Sequence, residues 1–246
     1  MAREPNPAFN ERAGKWMDLA RFPGRHLLDV ESRIAKVVAL WEKPIPPGWK
    51  RESGRDSRLL KSRYGRGRKR ENHVPRGEHA IEHEILDPSP AVPTRCLGAT
   101  LVDGVNAVPL AKDAGGGRAG NVEADMLLLV EDEQGYRLQL VEVKATSDNP
   151  WFAAVENLRQ MRLFRESPIQ SLFRDRCSAP DLGEELRVTG IVLAPNEFYE
   201  KPVKRRDSVA PAQELLDRMN RKPDVDMRLA TWNANFREIE SLPPRV

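Results

Sequence analysis

The sequence predicts an α/β fold, a mixed central sheet flanked by helices, with an N-terminal extension that is helical and then basic. Three observations predict it. Apolar residues recur at helical spacing in the first fifty positions and again in three later segments. Apolar runs of strand length lie between those later segments, and clusters of Pro, Gly, Asn and Asp punctuate them. From about Val74 the order is helix, three strands, helix, strand, helix, strand, which argues a mixed sheet covered by helices.

Asn10 is placed to cap a short helix running to about Ala20. Leu27, Val30, Ile34, Val37, Val38 and Trp41 then recur at helical spacing, and Pro44, Pro46, Pro47 and Gly48 stop that helix. A basic segment follows over residues 50–70, loosened by Gly54, Gly65 and Gly67. Glu78 to Leu86 reads as a helix ended by Pro88, Cys96 to Val102 as a strand, and Lys112 to Gly120 as a glycine-rich loop. Asp125 to Val130 is a strong strand, Asp132 to Gly135 a turn, and Tyr136 to Lys144 the returning strand. Asn149 is a good N-cap and Pro150 a good first helical residue, so a helix starts there and runs through Phe164. Leu186 to Leu193 is a strand, Ala210 to Asn220 a helix, and Asp226 to Trp232 a final strand. The boundary between extension and main domain is expected near residue 73, giving segments 1–73 and 74–246.

With 246 residues, the chain can hold one core plus an appendage, or two small domains. Its 39% hydrophobic and 31% charged residues are the composition of a soluble globular protein. No run of 18 apolar residues is present to span a membrane, and the first residues lack the apolar stretch of a signal peptide. The two cysteines, Cys96 and Cys177, lack metal-type spacing, so a cytoplasmic location without disulfides is expected.

Charge is unevenly placed. The chain carries a net +3, but residues 50–70 alone carry ten basic and two acidic residues, a net +8. Such a stretch attracts a polyanion through counterion release, and its preference for Arg suits bidentate phosphate contacts. Arg58, Lys61, Arg63, Arg66, Arg68, Lys69 and Arg70 are the expected nucleic-acid contacts; a solvated linker is the alternative.

Strand side chains alternate between faces, so in Leu140-Val141-Glu142-Val143-Lys144 the Glu and Lys share one face while both valines point into apolar packing. Pairing across the 132–135 turn brings Asp125 near them at one end of the hairpin. Two carboxylates there suit Mg²⁺ or Mn²⁺, with Lys144 adding positive charge where a pentacovalent phosphate grows more negative. The alternative is a surface salt bridge between Glu142 and Lys144 at a strand end.

On Asp125 followed by Glu142-Val143-Lys144, the chain resembles the PD-(D/E)xK nuclease superfamily, the restriction-endonuclease-like fold, over roughly residues 74–235. The resemblance implies a metal-dependent phosphodiesterase, with Asp125, Glu142, Val143 and Glu82 at the metal and DNA as the expected substrate. It also implies a helical acid upstream of Asp125. Glu82 fits best, because Ile85 and Leu86 follow it on the packed side; Glu78, one turn earlier, is the alternative. Some members carry a Gln after the Lys, followed four residues later by Tyr. Here Gln160 stands in that place with Phe164 instead of Tyr, so Gln160 is either part of the site or a solvent-facing helix residue. Many enzymes of this fold dimerise, so a homodimer or larger complex fits the resemblance.

Two other readings compete. His79-Ala80-Ile81-Glu82-His83 matches the signature of inverted zinc peptidases, with Glu156 at a tolerable distance for a third ligand. A non-catalytic nucleic-acid-binding module of the same fold is the third reading; a retained cluster of carboxylates, costly without a neutralising cation, argues against it.

Overall fold

A computed structural model describes residues 16–21, 29–43, 77–87, 93–112, 121–145, 149–165, 187–200, 209–233 and 236–242. Five helices and seven strands follow one another along these residues. They are α1 (Val30–Glu42), α2 (Glu78–Leu86), β1 (Arg95–Cys96), β2 (Ala99–Lys112), β3 (Asn121–Asp132), β4 (Gly135–Val143), α3 (Pro150–Phe164), β5 (Val188–Leu193), α4 (Asn196–Glu200), α5 (Val209–Met219), β6 (Met227–Trp232) and β7 (Glu238–Ser241). A short helical turn over residues 16–20 precedes α1. The basic stretch 50–70, the glycine-rich 113–120 and Cys177 lie outside the described residues.

The strands form one mixed sheet in chain order, which curls until the two-residue β1 pairs in parallel with β7. The pairs β2–β3, β3–β4 and β6–β7 are antiparallel, whereas β4–β5 and β5–β6 are parallel. A parallel neighbour demands a crossover, and α3 and α5 supply those two crossovers. The predicted α/β class with a mixed, helix-flanked sheet is therefore observed. Several details differ from the sequence expectation. The segment Cys96 to Val102 is broken by a turn at Leu97-Gly98 into β1 and the start of β2, and β2 runs well past Val102. β3 begins at Asn121 rather than Asp125, the short helix α4 follows β5, and a last strand, β7, follows β6.

Both faces of the sheet are covered, which is why β3 reads as an unbroken apolar run instead of alternating. Leu127 and Leu129 of β3 and Leu138 and Leu140 of β4 pack under α1, α3 and α5. Met126, Leu128, Val130, Val141 and Val143 face the other way, against Ile81, Ile85 and Leu86 of α2 and against Cys96 and Ile239 at the closing seam. Helix α1 shares the first of these cores: Ile34 and Val37 are fully buried, and Arg162 of α3 donates to the carbonyls of Trp41 and Lys43. Trp151, also buried, donates its indole N–H to the carbonyl of Leu19. Close packing of α3 on β5 depends on Gly190, where a Cβ would collide with Met161 and lie 2.6 Å from Asn157 Oδ1.

Candidate active site

The hairpin β3–β4 forks at one end. Its ladder runs from Asp132↔Gly135 to Met126↔Val141 and stops there. Beyond that point β3 continues against β2, through Ala124↔Val108, while β4 continues against β5, through Glu142↔Val192 and Val143↔Leu193. The Val143 N–H, left without a strand partner on the β3 side, donates to Asp125 Oδ2 at 2.7 Å. A carboxylate thus replaces the missing ladder acceptor and holds the fork open. Strand β2 is irregular at the same level. Ala107, flanked by the paired residues Asn106 and Val108, has φ +50°, a left-handed backbone that an Ala rarely adopts.

Glu142 and Lys144 leave β4 on the α3 side, as their shared parity with Leu138 and Leu140 requires. Their ion pair is 2.7 Å long, and each side chain is under a tenth exposed. Asn149 caps α3 by accepting the Phe152 N–H at 2.9 Å, with Pro150 behind it. That start sets the phase in which α3 presents Gln160 to the fork. Gln160 is buried; its Nε2 donates to Glu142 Oε2 at 2.5 Å and to the Glu123 carbonyl at 3.0 Å. Asn157, one turn earlier, donates to the Leu140 carbonyl and to Gln160 Oε1, so the amide is aimed from behind. Lys144 reaches a second carboxylate, Glu156 Oε2, at 3.0 Å, and its ammonium sits 5.7 Å from the centre of the Phe152 ring.

Helix α2 approaches from the opposite face. Glu82 is buried and accepts from Asn106 Nδ2 and from His79 Nδ1, each at 3.0 Å. Glu78 accepts the Ala145 N–H at 3.2 Å, just beyond the end of β4. The residues expected at the site, Glu82, Asp125, Glu142, Lys144 and Gln160, thus gather around the fork, with Val143 at its centre. The sequence-predicted phosphate contacts Arg58, Lys61, Arg63, Arg66, Arg68, Lys69 and Arg70 lie outside the described residues.

The electrostatics are those of crowded carboxylates. Burial, with Glu82 and Glu78 nearby, pushes the Asp125 carboxyl up to about 7 against the opposing pull of the Val143 N–H and Lys144. Burial and the charges of Asp125 and Glu156 hold Glu142 well above the usual carboxylate range. Burial also raises Glu82, partly offset by Asn106 and His79. At Lys144, burial opposes the charge, but Glu142 and Glu156 outweigh it and keep the ammonium protonated well beyond its ordinary range.

No family model, curated protein or solved structure matches the chain.

Several partners were not named from the sequence as part of this site. Asn106 lies 24 residues from Glu82 along the chain, and no local pattern links them. Asn157 stands three before Gln160 and Glu156 four before it, helical spacings that bring them to neighbouring positions on α3. His79 is largely exposed and bound to Glu82, while Glu156 is engaged by Lys144 and Arg159. Among the described residues, no three His, Cys, Asp or Glu side chains are grouped so as to hold a metal ion together. A cavity of about 460 Å³ lined by Tyr199, Gln213, Glu214 and Asp217 lies elsewhere, between α4, α5 and β6, and contains none of these side chains.

Proposed function

We propose that the chain is a metal-dependent nuclease of the PD-(D/E)xK class, with a restriction-endonuclease-like core, hydrolysing phosphodiester bonds of nucleic acid, DNA first. The observation that carries this reading is the strand fork. It collects a half-buried acid, Asp125, a buried acid, Glu142, and one charged lysine at adjoining strand positions, and a buried helical Glu faces the same fork from α2.

The donor chemistry fits a hard divalent cation. Asp125, Glu142 and Glu82 offer carboxylate oxygens, Val143 adds a backbone carbonyl to the donor set, and desolvation raises all three acids above the usual carboxylate range. As they stand, Glu142 is held by Lys144 and Gln160, and Asp125 by the Val143 N–H, so gathering around an ion requires side-chain movement. Mg²⁺ or Mn²⁺, when bound, supplies Lewis acidity toward the phosphate. The chain's own residues do the rest. Lys144, kept cationic by Glu142 and Glu156, donates to the phosphate oxygens as negative charge grows on them and orients the attacking water. Gln160 fixes the rotamer of Glu142, and Asn157 fixes Gln160.

The test is incubation of the purified protein with linear, circular and single-stranded DNA, in magnesium, manganese or EDTA. Cleavage with either metal and none in EDTA is expected. Binding without cleavage under every condition would favour a non-catalytic nucleic-acid-binding module.

A further inference from the structure

Arg159 has no part in the scheme above. Its side chain is only 12% exposed, and its ion pair with Glu156 is long, at 3.6 Å. Its Nε is buried with no hydrogen-bond partner among the described residues. A guanidinium carries five donors in a rigid fork, and burying one of those donors without a hydrogen bond is costly enough that native proteins rarely leave it so. Neutralising the nearby acids does not account for it. Lys144 takes the close contacts, 2.7 Å to Glu142 and 3.0 Å to Glu156, and leaves Arg159 beyond hydrogen-bond length from Glu156. Burial even pulls the guanidinium below its ordinary pKa, against the support of Glu156 and Glu142.

Position supplies the second observation. Phe152, Glu156 and Arg159 form one stripe along α3, spaced by four and three residues. All three are partly exposed, whereas Val155, Asn157, Leu158 and Gln160 between and beside them are buried. The stripe is the solvent edge of the site. Lys144 lies over its first member and is bonded to its second.

We infer that Arg159 is a phosphate-binding residue: its fork takes the non-bridging oxygens of a phosphate in the nucleic-acid strand as that strand settles beside Lys144, with Glu156 holding both cations in place. The planar fork matches two phosphate oxygens, a geometry an ammonium does not offer. The inference rests on the nuclease reading and extends it to a residue that reading does not use.

The experiment uses the full chain and a series of DNA oligonucleotides, each with one phosphate replaced by an uncharged methylphosphonate. Affinity is measured in EDTA and cleavage in magnesium. For wild type, one position in the series should lower affinity by about tenfold to a hundredfold, the usual range for a lost charge-assisted hydrogen bond. Arg159→Gln should lose a similar factor on the unmodified oligonucleotide and be indifferent to the methylphosphonate at that position. Arg159→Lys, which keeps the charge without the fork, should fall between the two and serves as the test if the Gln variant does not fold. If an Arg159 variant binds as tightly as wild type, or keeps full sensitivity at every position, the phosphate role is overturned while the nuclease reading stands. If wild type neither binds nor cuts any oligonucleotide, the nuclease reading fails and takes the phosphate role with it.

Discussion

Asp125→Asn should make the metal-free protein more stable at neutral pH while removing its activity. The substitution is isosteric, and the Asn Oδ1 can still accept the Val143 N–H that Asp125 accepts at 2.7 Å. What it removes is a charge that burial and the neighbouring acids disfavour, pushing the carboxyl from 3.8 up to about 7. A carboxyl whose folded value lies above its unfolded one binds its proton more tightly when folded. That contribution is complete below about pH 4 and is lost as pH rises through 7. At about 1.4 kcal/mol per pH unit, a rise of about three units sets a ceiling of about 4 kcal/mol; sharing of protons with Glu142 and Glu82 reduces it to a few kcal/mol. The assay is urea unfolding in EDTA at intervals from pH 4.5 to 8, for wild type and Asp125→Asn side by side. The difference between the two curves cancels titrating groups remote from the fork and leaves Asp125 together with the acids coupled to it, Glu142 and Glu82. The variant should gain on wild type steadily across the window, and magnesium should stabilise wild type at pH 8 but not the variant. A constant difference with pH, or a variant less stable than wild type at pH 8, would refute the reasoning.

Three further outcomes are expected. Gln160→Leu leaves Glu142 Oε2 and the Glu123 carbonyl without their donor and should cost about 1–3 kcal/mol in stability, read by denaturant unfolding, with a fall in any cleavage rate. Gly190→Ala drives a methyl into Met161 and Asn157 and should cost about 1–3 kcal/mol; because Asn157 aims Gln160, activity should fall with it. Replacing Arg63, Arg66, Arg68, Lys69 and Arg70 with Gln should flatten the slope of log affinity against log salt by about four to five units, equally for unrelated sequences; an unchanged slope would make the segment a linker or protein-docking arm.

Much of the site was legible because strand parity is a strict rule. Glu142 and Lys144 had to share a face, and the turn closed by Gly135, at φ +103°, had to return β4 alongside β3. The cap at Asn149 was legible for the same local reason, since Asn-Pro before an apolar helix has few other uses. What escaped was non-local or irregular. β2 carries Gly104 and Pro109, residue types that read as strand endings, and a left-handed Ala107 that nothing in the sequence signals, yet the strand continues because β3 pairs with it on both sides of that irregularity. β7 is four residues with a single buried apolar side chain, Ile239, too short to show a period. Helix α1 reads as accessory in sequence, although its apolar face shares the main core with α3 and α5. Arg159 and Glu156 look like an ordinary helix pair; only the fold reveals that Lys144 has claimed the carboxylate.

The central claim is that the strand fork performs phosphodiester hydrolysis, and Glu142 is its most exposed point of failure. The measurement is the rate of DNA cleavage in magnesium by wild type and by Glu142→Ala, with both proteins shown to be folded by circular dichroism. Removing Glu142 strips a carboxylate from the proposed metal position and leaves Lys144 with Glu156 alone, so a rate loss of about 10²–10³ or more is predicted. Equal cleavage by the two proteins would contradict the account.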